Sequence, residues 1–479
     1  MADLVPLSLT TTTRRSRYRQ EGDARLINAY IEEVGEEGKH PWVIYRADGL
    51  RPFGGMGDGG GIRAAIPVGT TLYGVADWDV YAVDGSGSET LLGSIATDGL
   101  VTMAVNRRQP NPQIALVSGG LYYLIENNVL TLQDNPNLPP PAYVFEVDGY
   151  FVFVIQDGRF FISGLNDGTT IDGLDFAKAE ALSDPLVAGA TRGRDVCLFG
   201  TRSTEFWQHT GDADFPFSRG QVMNIGSYAA GSTAECTAVI NGATVDTIAW
   251  AATDEQGGYL GVMLLNGYSG QKISNHDLDR LIRDDPAPRD IRGFSWAQGG
   301  HVFYAISGTG YSYVYNTVTG RWNEWESYGL GRARVSCHAQ FGRHHIFGDA
   351  NSNRLYRLDA TATDEAGAPI VATVQTPPVH AFPYSVQHHA VHVDVVVEDN
   401  QAPWDHDSAP RLMLDWSDDG GFTWATQREI PLGHQGARLR RAITRRLGTA
   451  RSRTYRISWS DPRIRGIANA QLEVERLAS

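Results

Sequence analysis

Along the chain, apolar residues come in short alternating runs that stop at glycine, asparagine or aspartate about every ten residues. Runs of this kind include LYGVADWDVYAVDGSGS (72–88), GGLYYLIENNVLTL (119–132) and YVFEVDGYFVFVIQDGRFFISGLNDG (143–168). Helical spacing is nearly absent. Only DLDRLIRD (277–284) and residues 175–182 read as short helices. Period-two runs with regular turn signals predict an all-β chain.

Several runs share an order: an apolar strand, a glycine turn, a tyrosine-rich strand, a turn and a short outer strand. The stretch YVYNTVTGRWNEW (313–325) shows it best, with Trp322 and Trp325 placed to pack between sheets. It resembles a β-propeller blade, whose unit is about 40 to 50 residues long. Repetition from residue 70 or so to 360 predicts six or seven blades. The expected layout is an N-terminal segment (1–65) that lends a strand or contacts other subunits, a propeller (66–360), and a C-terminal antiparallel β-sandwich-like domain (361–479). The last is expected to serve oligomerisation and adaptor contacts.

The length of 479 residues and 42% hydrophobic content fit a globular protein of several domains. No apolar run approaches the roughly 20 residues of a membrane span, so no membrane insertion is expected. The first residues, MADLVPLSLTTTTRRSRYRQ, place arginines after the apolar stretch, the reverse of a signal peptide. Cys197, Cys236 and Cys337 are far apart and form no disulfide or metal pattern, which fits synthesis in a reducing cytoplasm. The net charge of −14 argues against a general nucleic-acid coat. Residues 438–465, however, hold ten arginines and one acid (Asp461), a local +9 that leaves −23 elsewhere.

The stretch SDDGGFTW (417–424) has the S-x-D-x-G-x-T-W spacing of the Asp box found in sialidase propellers. Ser417, Asp419 and Gly421 favour a tight turn, and Thr423 and Trp424 are expected to begin a strand. The carboxylate is then spent on the turn, and no residue is assigned a catalytic role. FGGMGDGGG (53–61) lacks the GK[ST] of a phosphate loop and reads as a flexible connector. DANSN (349–353) lacks the later ligands of a calcium loop and reads as a blade turn. His388 and His392 would share one face of a regular strand, but no ligand signature accompanies them. No cofactor or metal is assigned. The arginine stretch has three readings: an exposed basic face, a DNA-contacting surface, or half of a subunit interface. Arg440, Arg441, Arg445 and Arg446 are the candidates for subunit or adaptor contacts, because an acidic partner copy is complementary to them.

Three segments together resemble one family. They are GDARLINAYIEE (22–33), STEFWQHTGDADFPFSRG (203–220), and the C-terminal order of strand, SDDGGFTW turn, REIPLG, R-R-x-G-x-A-R-x-R-x-Y-R (445–456) and a strand after Pro462. The chain is similar to the packaged-DNA stabilisation proteins, or tail hubs and nozzles, of short-tailed (podovirus) bacteriophages. The resemblance implies a non-enzymatic virion protein of the phage tail. Six copies would form a ring below the portal and its adaptor ring, with tailspikes or fibres and a tail needle or plug as further partners. Double-stranded DNA would pass through without sequence readout. The alternative from another class is a glycan-binding or sialidase-like propeller of a host-recognition tail protein.

Overall fold

The computed structural model describes residues 3–35, 40–96, 99–212, 215–240, 242–398, 409–433 and 440–477. They form two compact units. Arg51–Ser312 with Arg332–Leu358 make one; Met1–Leu50, Tyr313–Gly331 and Asp359–Ser479 make the other.

The first unit is built on seven innermost strands: Ile62–Val68, Val101–Val105, Tyr143–Val147, Leu186–Arg192, Ala234–Ile240, Arg292–Gln298 and Val335–Phe341. Each lies beside the next, and the seventh returns beside the first. The unit is therefore a seven-bladed β-propeller. In the second blade Val101–Val105, Ile114–Ser118, Leu121–Glu126 and Val129–Leu132 pair antiparallel in chain order. Ile114–Ser118 is buried throughout, whereas Val129–Leu132 is largely exposed. A strand covered on both faces loses its polar alternation, hence the continuous apolar runs. Between blades lie apolar clusters, as where Phe145, Val152 and Phe160 meet Val196, Leu198 and Trp207.

Chain direction alone does not close such a ring. The seventh blade takes its outer strand from the other end of the chain: Gly49–Gly55 lies along Arg354–Asp359. The glycine-rich segment that follows is packed, contrary to the flexible connector expected. Met56 is fully buried. Its N–H donates to the Asn353 carbonyl (2.8 Å), and the Asn353 side-chain amide donates to the Gly57 carbonyl. The Gly57 N–H donates to Glu89 Oε2 at 2.7 Å. A Cβ on Gly54 would sit 2.7 Å from the Gly87 carbonyl oxygen, and one on Gly61 would strike that of Ala350. The glycines let backbone meet backbone. DANSN is the turn between His344–Asp349 and Arg354–Asp359, with the Asn351 N–H on Asp349 Oδ1 at 2.8 Å.

The helix expected near 277–284 is present as His276–Arg283, capped by Asn275. Residues 175–182 are not helical. They contain the strand Phe176–Lys178, whose Phe176 stacks on its partner Phe161 at 5.1 Å, so cross-strand packing overrides local propensity.

The second unit is a β-sandwich. One sheet runs Ala29–Glu33, Trp42–Arg46, Ile464–Arg476, Val386–Val397, Arg440–Ala450, with Asp3–Pro6 also on Ile464–Arg476. The other includes Arg321–Glu324, Asp23–Ile27, Ala372–Gln375, Ser452–Trp459, Arg411–Ser417 and Arg428–Pro431 in that order. Leu7, Leu26, Ile31 and Ile44 from the chain start share its core with Val391, Leu414, Ile457, Trp459 and Leu472. Thr10 Oγ1 donates to the Gln375 carbonyl (2.5 Å), and Arg25 pairs with Glu324 at 2.5 Å. Trp322 packs on its cross-strand neighbour Tyr315 and on Tyr313, all within one sheet; Trp325 is half-buried and donates to Glu365.

If the glycine seam closes the propeller, Gly61→Ala costs about 1–3 kcal/mol, because backbone must shift to admit one methyl. Urea denaturation measures this; a loss under about 0.5 kcal/mol, the size of an ordinary surface change, would mean the seam is slack.

Candidate functional site

Three features were candidates for chemistry or contact: the Asp-box turn, the propeller's central channel and the arginine stretch. The turn joins Arg411–Ser417 to Arg428–Pro431, which pair antiparallel. Asp419 Oδ1 accepts from the Ser417 hydroxyl (2.7 Å) and the N–H groups of Phe422 (3.0 Å) and Thr423 (2.9 Å). The Thr423 hydroxyl donates to Oδ2 at 2.5 Å, and the Gly421 N–H to Ser417 Oγ at 2.7 Å. These donors, the Thr423 hydroxyl foremost, hold the carboxyl far below the ordinary carboxylate range. A carboxylate so held is a poor proton donor. Thr423 and Trp424 do not begin a strand; the bend runs through Thr423, where two successive amides turn inward to Asp419, and the next strand starts at Arg428. Trp424 instead lies under the Arg456 guanidinium, 4.0 Å from its ring centre.

The channel enclosed by the seven inner strands has a volume of about 1070 Å³, lined by Ala64, Met103, Phe145, Gly189, Cys236 and His338 among others. Two of its acids are engaged: Glu235 accepts from the Thr191 N–H at 2.6 Å, and Glu146 pairs with Arg107 at 3.0 Å. Burial pushes the thiols of Cys236 and Cys337 up to about 12 and 11, so neither is an activated nucleophile. Among the described residues no group of three or more His, Cys, Asp or Glu is placed to hold a metal ion.

The histidine expectation needs correction. The ladder between Val386–Val397 and Ile464–Arg476 shifts register between His388 and Ala390. That bulge reverses the alternation, so His388 sides with core residues Val391 and Val393 while His392 faces the other way. His388 is buried and shares a 2.8 Å hydrogen bond through Nδ1 with the Tyr455 hydroxyl.

The arginine stretch divides in two. Arg453 makes a two-pronged pair with Asp418 (2.6 and 2.8 Å) and donates to the Leu447 carbonyl at 2.6 Å. Arg456 pairs with Asp415, Arg463 with Asp461 and Arg465 with Glu398. The guanidinium groups of Arg428 and Arg453 both approach Trp416, 4.9 and 5.3 Å from its ring centre. Sequence reading missed these pairs, whose members meet only through strand register. Arg441, Arg445 and Arg446 stay exposed on Arg440–Ala450, the last strand of its sheet, and form no ion pair among the described residues. Arg441 and Arg445 share a face. Arg446 adopts a left-handed conformation (φ 62°). Arg440 opens the strand opposite Val395, and its side chain lies outside the described residues.

The family model described as bacteriophage P22 Gp10, beta-propeller, matches residues 45–363, and that described as P22 Gp10, beta-sandwich, matches 384–475. The chain belongs to this family. That family is the podovirus packaged-DNA stabilisation, or tail hub, proteins, and the chain is a structural protein of the phage tail. No curated protein matches it. Among solved structures, a streptogramin B lyase is similar at 13% identity, over 65% of this chain and 97% of that one, with a TM-score of 0.43. A virginiamycin B lyase from Staphylococcus aureus is similar at 11% identity, over 64% and 98%, with a TM-score of 0.45. Likeness at that level says nothing of what this Gp10-family chain does. Among its described residues no helix is long and apolar enough to cross a membrane.

Two outcomes are expected for the sandwich. Arg453→Ala, which strands Asp418 and the Leu447 carbonyl, should cost about 2–3 kcal/mol by chemical denaturation, less than a fully buried pair because Asp418 is half exposed. A cost below about 0.5 kcal/mol would show the pair to be idle. Burial lowers the His388 pKa to about 4, below the ordinary 6.5. The unfolded chain therefore binds this proton first, and stability from neutral His388 is full above pH 6.5 and lost towards pH 4. The advantage of wild type over His388→Gln should shrink by about 3 kcal/mol between pH 7 and 4. A pH-independent difference would contradict it.

Proposed function

We propose that the chain is a ring-forming tail hub or nozzle that extends the portal–adaptor channel, helps retain packaged DNA and conducts it on ejection. The match of both Gp10 modules, in order, along one chain carries this reading. Six copies make the ring. Its partners are the adaptor ring protein, a tailspike or fibre and a needle or plug, with duplex DNA passing through without sequence readout. Synthesis takes place in the host cytoplasm. A closed propeller suits this work, since it holds many loops on a rigid frame. Nothing favours a glycan-cleaving role: the Asp box occurs once in the sequence, and its carboxylate is saturated by its own turn.

Arg440, Arg441, Arg445 and Arg446 make the protein–protein contacts of the ring. A cyclic assembly needs two different complementary patches per subunit, and an arginine-bearing edge strand on a chain of net charge −14 supplies one. Reversing all four to Glu should leave the thermal melt unchanged and abolish joining to purified portal–adaptor complexes. Wild type should bind free duplex DNA weakly. Normal joining by the variant, or tight DNA binding with a log–log salt slope of roughly −3 to −4, would overturn the assignment.

A further inference from the structure

At one end of the sandwich the chain crosses from Arg440–Ala450 to Ser452–Trp459, and several turns gather there. Thr454 lies opposite Ser417, which opens the Asp-box turn. Ser452 and Arg453 pair with His380 and Val379, which lead into the turn closed by the Ala381–Tyr384 bridge. Val386 lies opposite both Ala450 and Arg476. The loop near residue 20 is pressed on the Asp-box turn, where a Cβ on Gly420 would sit 2.7 Å from Gln20 Cα.

This end carries three rings that the fold leaves in water: Phe382 is 88% exposed, Tyr18 67% and Phe422 63%. None has a role in the sandwich core. Around them Arg17, Arg19 and Arg451 are exposed and form no ion pair among the described residues. Arg476 covers Tyr384, 4.1 Å from its ring centre. The local carboxylates are mostly committed: Asp418 to Arg453, Asp419 to its own turn, Asp23 to Arg15. Glu475 lies 3.4 Å from His389, and with Glu21 and Asp3 it opposes them. A positive, aromatic end therefore stands on a protein of net charge −14.

We propose that this end of the sandwich is a docking face for an acidic protein surface of another virion component. Tyr18, Phe382 and Phe422 are the apolar anchors, and the surrounding arginines take its carboxylates. The proposal rests on the assembly reading above and adds a second contact, distinct from the edge-strand arginines. Exposed aromatic rings beside arginine are the composition that marks the energetic centre of protein interfaces. Duplex DNA fits less well, since its phosphates pair with arginine but leave the rings in water.

The test uses phage particles in which the chain is supplied as a variant. With p-benzoylphenylalanine at position 382 or 422, irradiated particles should yield cross-links to a protein peptide in which Asp and Glu outnumber Lys and Arg. Tyr18→Ser/Phe382→Ser/Phe422→Ser should melt like wild type yet enter particles roughly tenfold less or worse. Leu174→Ser, at an 83% exposed site on the propeller, should enter normally. Normal entry of the triple variant, cross-links to DNA, or no cross-link at either position would overturn the docking face. Absence of the wild-type chain from particles would instead sink the assembly reading itself.

Discussion

The propeller rests on one backbone ladder, the strand Gly49–Gly55 laid along Arg354–Asp359. Sheets arranged around a channel gain by closing, because closure puts neighbours on the faces of every blade. Here closure needs the early chain to reach past six blades and complete the seventh. The glycines after that strand follow from the same requirement. Gly54 and Gly61 sit where backbone carbonyls of Gly87 and Ala350 come too near for any side chain. Clasped by Asn353 and Glu89, the segment has no latitude to behave as a linker.

The sandwich uses the chain start in the same way and also sorts charge. Four arginines of the basic stretch meet Asp418, Asp415, Asp461 and Glu398, so much of the local +9 is neutralised within the unit. What remains positive lies on an edge strand and on one end. Charges on an edge strand also keep it from pairing with unrelated sheets. The same residues therefore oppose non-specific association and leave a specific acidic partner as the favoured one.

How much of this was readable beforehand depended on how local each cause was. Strand runs such as residues 119–132 and the helix at His276–Arg283 carry their period within a few residues, and both were legible. Phe176–Lys178 was misread because its reason to be a strand is Phe161, on a neighbouring strand. The bulge that sends His388 and His392 to opposite faces depends on the strand beside them and leaves no mark in their own spacing. Likewise the Arg453–Asp418 pair spans 35 positions and the Thr10–Gln375 bond 365. The turn at 417–424 was legible as a turn because its hydrogen bonds reach at most four residues ahead. The Gp10-family likeness was legible for another reason: it lay in the order of several segments, which drift in any one of them does not erase.

The placement of residues 3–55 has a consequence for the order of synthesis. A ribosome delivers these residues well before their partners, 354–359 in the propeller and 372–476 in the sandwich. Six blades can form on the nascent chain while the strand Gly49–Gly55 waits unpaired. Neither unit is complete until residues 354–359 and 372–476 have been made, and pairings so far apart in sequence are slow to form. A chain cut short by a nonsense codon would carry an open ring and a half-built sandwich, with apolar strands exposed for proteolysis. Only molecules that carry the strand Ile464–Arg476 then reach the folded state from which a virion could be assembled.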